Sequence, residues 1–384
     1  MYENFDRSIV SKYIYQDEIY KGFSVHSVKA LALWEKLLNC LLDNFMEDYH
    51  DLKTIQVIPQ ISNIDFLEDF YGDYFYRIKN RIPSFSDDNG NRRFITTDAL
   101  PYLVSSLNIG DEVFSTYTVV RPRSFAVKPF LREEFIRYFQ FVIASDESDI
   151  LRNIDKIKHA SLRFFKQLRM PTVLVDRQSD SYYAKKSCFH SMWINGNVES
   201  VLQCGILRKR FKTISGDDRI IIDVGGAQRL LASFLYANSD SHGLFLPLGM
   251  RRFDVVLRVD ECNKSIEMFR RRAEIAGCRI LCIHDRLPLK KMKKIAIEEG
   301  AVAICIPRIE SDKEFITAFN RDMTKTDLYN ESDVVKWIMQ KYNKIEMLAY
   351  EKQELYLNTK IKNENLFYKK GNNSYKIVRN GLFN

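Results

Sequence analysis

The sequence predicts an α+β core built on an antiparallel sheet, followed by a smaller α/β domain. Two apolar stretches, 116–120 and 135–143, flank a short basic loop and indicate a β-hairpin. A β-branched run at 220–222 leads through two glycines into an amphipathic helix. After Arg252, apolar strands alternate with helices, which is typical of a parallel or mixed sheet.

Length and composition limit the classes to which the protein can belong. A chain of 384 residues is too long for one compact core, and we predict a core at 1–250, a second domain at 251–349 and a tail at 350–384. No apolar run is long enough to span a membrane, and the acidic N-terminal residues do not fit a signal peptide, so we expect a cytoplasmic protein. The 7 cysteines contain no C-x-x-C pair, so we predict reduced thiols and no metal site.

The first long element is a helix over residues 28–45. Its apolar residues recur at helical spacing, which predicts one buried face. A glycine at position 22 precedes the helix, and a short strand at 55–59 that ends in proline follows it. From these residues alone, the helix is simply part of the core.

The loop of the predicted hairpin is cationic. It contains Arg121, Arg123 and Arg132 between the two apolar strands. Guanidinium groups can each bind phosphoryl oxygens through two hydrogen bonds, so this arrangement suits a polyphosphate. The alternative is an exposed basic hairpin without a ligand.

The stretch 219–257 carries a further arginine of interest, Arg229. The isoleucine run predicts a buried strand, Gly225 and Gly226 predict a close turn, and residues 227–236 predict a helix. Arg229 falls at the start of that helix, where a cation is disfavoured, so we expect it to have an anionic partner. The alternative is a solvated arginine.

Positive charge is concentrated after the core. Residues 251–300 contain 13 Lys or Arg against 8 Asp or Glu, within a net charge of +8. A clustered basic face is expected of a protein that binds a phosphate backbone, and it makes RNA a candidate partner. A solvated helix face would give the same pattern.

Three stretches together resemble the signature motifs of class II aminoacyl-tRNA synthetases of the prolyl type. Residues 225–232 followed by 243–247 resemble the third motif. Residues 119–121 with 129–132 resemble the second, strand-loop-strand motif. Residues 22–35, at the start of the long helix, resemble the first. The interval 133–228 is too short for an inserted editing domain.

The resemblance implies specific roles. Arg121, Arg132 and Arg229 would bind ATP, with Arg121 and Arg229 as the catalytic pair. The helix at 28–45 would form a homodimer interface. Residues 251–349 would be an anticodon-binding-like domain that contacts tRNA or another RNA.

The sequence departs from the family where substrate and metal are recognised. Arg123 replaces a glutamate, Gln203 and its two successors replace Thr-Ser-His, and Ile221 replaces a glutamine that assists the metal. We therefore expect an apolar substrate pocket, no recognition of proline and no bound Mg²⁺. The leading hypothesis is a nucleotide-binding or tRNA-binding regulatory paralogue. The alternatives are an acyl-adenylate-forming ligase for another acid and a purely structural dimer.

Overall fold

The computed structural model describes most of the chain. The described residues are 14–16, 24–56, 61–95, 99–120, 130–131, 133, 135–177, 184–194, 197–213, 216–240, 243–247, 249–259, 264–284, 287–310, 313–363, 367–370 and 373–378. They form two compact units. The larger unit is drawn from Tyr13–Gln167, Pro171–Phe234 and Leu357–Asn384, and the smaller from Leu168–Met170 and Leu235–Tyr356.

The strands of the described residues follow in chain order. They are β1 Ile14–Gln16, β2 Ser24–His26, β3 Lys53–Gln56, β4 Ile61–Ser62, β5 Ser84–Ser86, β6 Arg92–Ile95, β7 Glu112–Val120, β8 Phe135–Ser145, β9 Val173–Arg177, β10 Ala184–Ile194, β11 Asn197–Leu207, β12 Phe211–Lys212, β13 Asp218–Ala227, β14 Ser239–Asp240, β15 Gly243–Leu244, β16 Val255–Arg258, β17 Ile280–Ile283, β18 Ala303–Glu310, β19 Lys313–Asn320, β20 Lys325–Leu328, β21 Phe367–Lys370 and β22 Asn373–Val378.

The helices alternate with these strands. They are α1 Val28–Met46, α2 Ile64–Tyr71, α3 Asp73–Ile78, α4 Leu100–Ser106, α5 Ile150–Gln167, α6 Arg229–Ala237, α7 Lys264–Ile275, α8 Leu289–Glu299 and α9 Glu331–Asn363, with one 3₁₀ turn at Lys79–Arg81.

A ten-stranded sheet is the centre of the larger unit. Its order is β21-β22-β9-β10-β11-β13-β8-β7-β3, with β12 paired to β13. All its pairs are antiparallel except β3 with β7. The predicted hairpin is present as β7 and β8, which pair from Glu112 with Ile143 to Val120 with Phe135.

Helices cover both faces of this sheet. On one face, Trp34 and Phe45 of α1 contact Phe139 and Phe141 of β8, with ring centroids 6.1 and 4.8 Å apart. The side chain of Ser27 accepts a hydrogen bond from the Ala30 amide at 3.2 Å and caps α1, as its β/extended backbone allows. On the other face, α4 contributes to a core cluster with residues of β7, β8 and β13.

The smaller unit is an α/β domain around a five-stranded sheet of order β17-β16-β18-β19-β20. Strand β16 pairs parallel with both neighbours, whereas β18 to β20 are antiparallel. Val255 and Leu257 enter a core cluster with Phe269 of α7, and Val256 enters a second cluster with Met292 of α8. Strand β16 is therefore apolar at consecutive positions because both of its faces are buried.

Two elements differ from the sequence prediction. Strand β13 does not turn at its glycines but continues through them to Ala227. The last helix, α9, continues to Asn363, inside the segment predicted as a tail, and β21 and β22 beyond it join the large sheet next to β9. The segment predicted as a tail therefore supplies two strands of the large sheet, and the domain boundaries at 250 and 349 stay predictions.

Helix length and hydropathy also bear on membrane insertion. Within the ranges that the structure describes, no helix is long and apolar enough to cross a bilayer.

His190 of β10 is a buried titratable group in the larger unit. Its ring lies 4.8 Å from that of Phe165 on α5, and its Nδ1 is 3.3 Å from the Thr172 hydroxyl. Burial lowers the pKa of His190 to about 4, because the charged imidazole would lose its hydration. The folded protein therefore keeps this ring neutral at a pH where the unfolded chain binds a proton.

We expect this difference to make stability depend on pH. The contribution of neutral His190 to the free energy of unfolding is complete above the unfolded pKa of about 6.5. As the pH falls toward about 4, this free energy decreases by roughly 3 kcal/mol. His190→Gln should remove this part of the loss, as measured by urea unfolding at about pH 7 and about pH 4.5. His284→Gln, at an exposed position, is the control. Equal acid sensitivity of His190→Gln and the unsubstituted protein would contradict the assignment.

Candidate functional site

A cleft of about 140 Å³ opens on the large sheet where β8, β11 and β13 meet the start of α6. Its lining combines main-chain glycine with charged, amide and apolar side chains. The lining residues are Phe130, Leu131, Glu133, Ile136, Tyr138, Ser200, Val201, Leu202, Gln203, Gly225, Gly226, Ala227, Gln228 and Arg229.

The floor of the cleft depends on Gly225 and Gly226. Gly225 lies between Gln203 of β11 and Gln140 of β8, and an added Cβ would be 3.0 Å from Tyr138 Cε1. At Gly226 an added Cβ would be 2.6 Å from Phe139 Cζ and 2.9 Å from the Val201 carbonyl. These glycines are needed for close packing within the strand rather than for a turn.

Arg229 is the first residue of α6 and lies at the rim of this cleft. Its Nη1 is 3.5 Å from Oε2 of Glu199 and donates to the Ser200 carbonyl at 3.3 Å. Its Nη2 donates to the Leu131 carbonyl at 3.2 Å. The side chain remains 25% exposed, whereas that of Glu199 is 6% exposed. The guanidinium is thus fixed between β11 and the segment before β8, with part of its surface open to the cleft.

A second buried carboxylate organises that segment. Glu133 is 3% exposed, accepts a hydrogen bond from the Phe130 amide at 2.9 Å and lies 3.4 Å from Nε2 of His26. Phe130 has a φ of 57°, and its ring centroid is 4.7 Å from that of His26. The carboxylate therefore holds a left-handed backbone conformation that a non-glycine residue rarely adopts.

On the same face of the sheet as the cleft, a polar network runs across β7, β8 and β13. The Tyr117 hydroxyl donates to Oε1 of Gln140 at 2.8 Å, and Nε2 of Gln140 donates to Oδ1 of Asp223 at 2.8 Å. All three residues are buried. Both the oxygen and the nitrogen of the Gln140 amide are hydrogen-bonded, which fixes its orientation next to the cleft.

The predicted site residues are placed unequally. The structure puts Arg229 at the cleft and gives it an anionic neighbour, the carboxylate of Glu199. Arg121, Arg123 and Arg132 lie outside the described residues, so the convergence of three arginines and their role in ATP binding stay predictions. Among the residues the structure covers, no group of three His, Cys, Asp or Glu side chains could hold a metal ion.

The lining of the cleft differs from the apolar pocket that the sequence led us to expect. Glu133, Gln203 and Gln228 bring polar side chains to it, and Glu199 lies directly beside Arg229. Sequence reasoning missed Glu133 and Glu199. Glu199 is followed in β11 by Ser200, Val201 and Leu202, and nothing in the sequence of that strand indicates that its carboxylate would reach Arg229.

The large sheet and the helices on its two faces match the fold of the prolyl-tRNA synthetase catalytic core, a class II synthetase fold. A prolyl-tRNA synthetase from Cryptosporidium parvum, complexed with halofuginone and AMPPNP, superposes with a TM-score of 0.73 over 90% of this chain and 78% of that chain, at 14% identity. Giardia lamblia prolyl-tRNA synthetase in complex with prolyl-adenylate superposes with a TM-score of 0.74 over 90% and 80%, at 13% identity. No sequence-family model and no curated protein matches the chain.

Glu133 yields a test of how the rim of the cleft is built. We expect Glu133→Ala to lower the free energy of unfolding by about 1–3 kcal/mol, because the buried Phe130 amide loses its acceptor. Glu133→Gln keeps an acceptor oxygen and loses only the charge, so it should cost less. Urea unfolding measures both, and hydrogen exchange at the Phe130 amide should accelerate only in the alanine variant.

Glu147 supplies the control, because its carboxylate is 74% exposed and pairs with Arg210 at the surface. Glu147→Ala should change stability little. Equal stabilities of Glu133→Ala and Glu147→Ala would show that the buried carboxylate does not hold the rim.

Proposed function

We propose that this chain is a prolyl-tRNA-synthetase-like protein that binds ATP in the cleft at Arg229 and acts as a non-canonical, regulatory nucleotide-binding or tRNA-binding protein. The observation that carries the proposal is the guanidinium of Arg229, held by a buried carboxylate at the rim of a glycine-floored cleft. A fixed, partly exposed guanidinium is a good ligand for a phosphoryl group, because its conformational entropy is already lost before binding. The similar structures add support, since one is a complex with AMPPNP and the other with prolyl-adenylate.

Arg121 and Arg132 complete the proposed ATP site as further phosphate ligands, with Arg121 and Arg229 as its catalytic pair if the chain is an enzyme. No magnesium ligand is assigned to a side chain of the protein. When ATP is bound, these guanidinium groups would neutralise the negative charge of its triphosphate.

The smaller unit is proposed to be the RNA-binding part, corresponding to the predicted anticodon-binding-like domain at 251–349. Lys290, Lys291 and Lys294 are exposed on α8, and Arg271 and Arg272 are exposed on α7. Such residues suit a phosphate backbone. The proposed homodimer would form through α1, whose first residue, Val28, is 81% exposed.

Arg229→Ala tests the nucleotide proposal. We expect its affinity for ATP to fall about tenfold to a hundredfold, because a charge-assisted hydrogen bond contributes about 1.5–3 kcal/mol. Equilibrium dialysis or calorimetry with ATP measures the loss. Arg210→Ala is the matched control, since it removes the same charge from a surface pair with Glu147 outside the cleft lining. Unchanged affinity in Arg229→Ala would refute the site.

A second function is favoured by the polar lining. Gln203 lies in the cleft, and its side-chain amide makes no hydrogen bond with the part of the chain that the structure describes. Such an amide could bind the carboxyl or amino group of an acid substrate, as in an ATP-dependent acyl-adenylate-forming ligase. ATP–pyrophosphate exchange over a panel of amino and carboxylic acids separates the two functions. Exchange that is lost in Arg229→Ala would establish the ligase, whereas ATP binding without exchange would support the regulatory protein.

A further inference from the structure

Two cysteines face each other across neighbouring strands of the large sheet. In the antiparallel pair β10 and β11, Cys188 is directly opposite Cys204, within a run of regular register from Lys186 to His190. Both are free thiols and both are half-buried. They are 16 positions apart in sequence, and the β10–β11 hairpin brings them together.

The backbone at this pair has the spacing that a disulfide requires. Directly opposite residues of an antiparallel pair have Cα atoms about 4.5 or about 5.5 Å apart, depending on their hydrogen-bonding position. Disulfides span Cα separations of about 4.4–6.8 Å. Both kinds of position fall inside this range, so the backbone spacing at this pair permits a bond between the two sulfurs.

The surroundings favour one thiol as the nucleophile. A hydrogen bond with the Cys204 thiol lowers the pKa of Cys188, against the opposing effect of burial. Lys158 of α5 lowers it further, whereas Asp176, opposite Cys188 on β9, raises it. The pKa of Cys204 is raised by the same hydrogen bond and by burial. Cys188 therefore carries the larger thiolate fraction, and Cys204 is the thiol that keeps its proton.

We propose that Cys188 and Cys204 form a reversible oxidation site that a hydroperoxide converts into a disulfide. The Cys188 thiolate attacks the peroxide and the O–O bond breaks, so that Cys188 becomes a sulfenic acid and the leaving alkoxide or hydroxide takes a proton from solvent to give an alcohol or water. The sulfur of Cys204 then attacks the sulfenic sulfur, the S–S bond forms, the S–O bond breaks, and the leaving hydroxide takes the Cys204 proton to give water.

The product links β10 to β11 covalently. Gln203, next to Cys204 in the chain, lines the cleft, so the link is made in a strand that helps to form it. The proposal depends on the thiol pair alone and holds whether or not the cleft binds a nucleotide.

Mass spectrometry of the full-length protein tests the proposal. The reduced protein is treated with a small excess of hydrogen peroxide, its remaining thiols are blocked with N-ethylmaleimide, and it is digested without reductant. We expect a linked peptide pair that contains Cys188 and Cys204 and disappears on treatment with dithiothreitol. Two of the 7 cysteines should no longer react with N-ethylmaleimide. The melting temperature of the oxidised protein should rise, because the link restricts the unfolded chain.

Two variants provide the controls. Cys188→Ser should abolish the linked peptide and leave Cys204 available to N-ethylmaleimide. Cys282→Ser should leave the link intact, because Cys282 is also a half-buried strand cysteine but faces Leu257 across its parallel partner. The proposal is overturned if the native protein yields no linked pair, if Cys188 is oxidised only to sulfinic acid, or if the link forms only after unfolding in urea.

Discussion

The cleft depends on the absence of side chains at two successive positions in the middle of a sheet. Gly225 leaves the space between Gln203 and Gln140 open, and Gly226 admits the ring of Phe139 from the opposite face. Because successive residues of a strand face opposite sides, one glycine serves the cleft and the other serves the packing beneath it. Any larger residue at either position would displace an aromatic side chain or separate neighbouring strands.

Charge compensation at the rim follows from that geometry. α6 begins two residues after β13 ends, so its first residue, Arg229, is held close to the floor. A cation at a helix N-terminus is electrostatically unfavourable, and the buried carboxylate of Glu199 offsets it. Glu133 likewise accepts a hydrogen bond from the Phe130 amide and lies 3.4 Å from Nε2 of His26. Both carboxylates are paired, as buried charges must be.

Much of the fold could be predicted from periodicity, because α1, α5 and the β7–β8 hairpin bury regular apolar patterns. The continuation of β13 through its glycines could not, since it is decided by neighbours on β8 and β11 that are distant in sequence. Glu199 could not be predicted either, because its partner Arg229 lies on another element. The Cys188–Cys204 pair could not be predicted because its sequence spacing matches no local motif. Local patterns identify elements, whereas a site assembled across strands depends on register.

The hairpin of β21 and β22 has a consequence for how the protein is made. It pairs Tyr375 with Arg177, so the outer edge of β9 stays open until chain far downstream has left the ribosome. The segment of the smaller unit is synthesised in between and can fold during that delay. A truncated translation product without the hairpin would present the unpaired amides and carbonyls of β9 to other chains, which is a template for aggregation. Degradation of incomplete chains is therefore expected to matter more for this protein than for one whose sheet closes early.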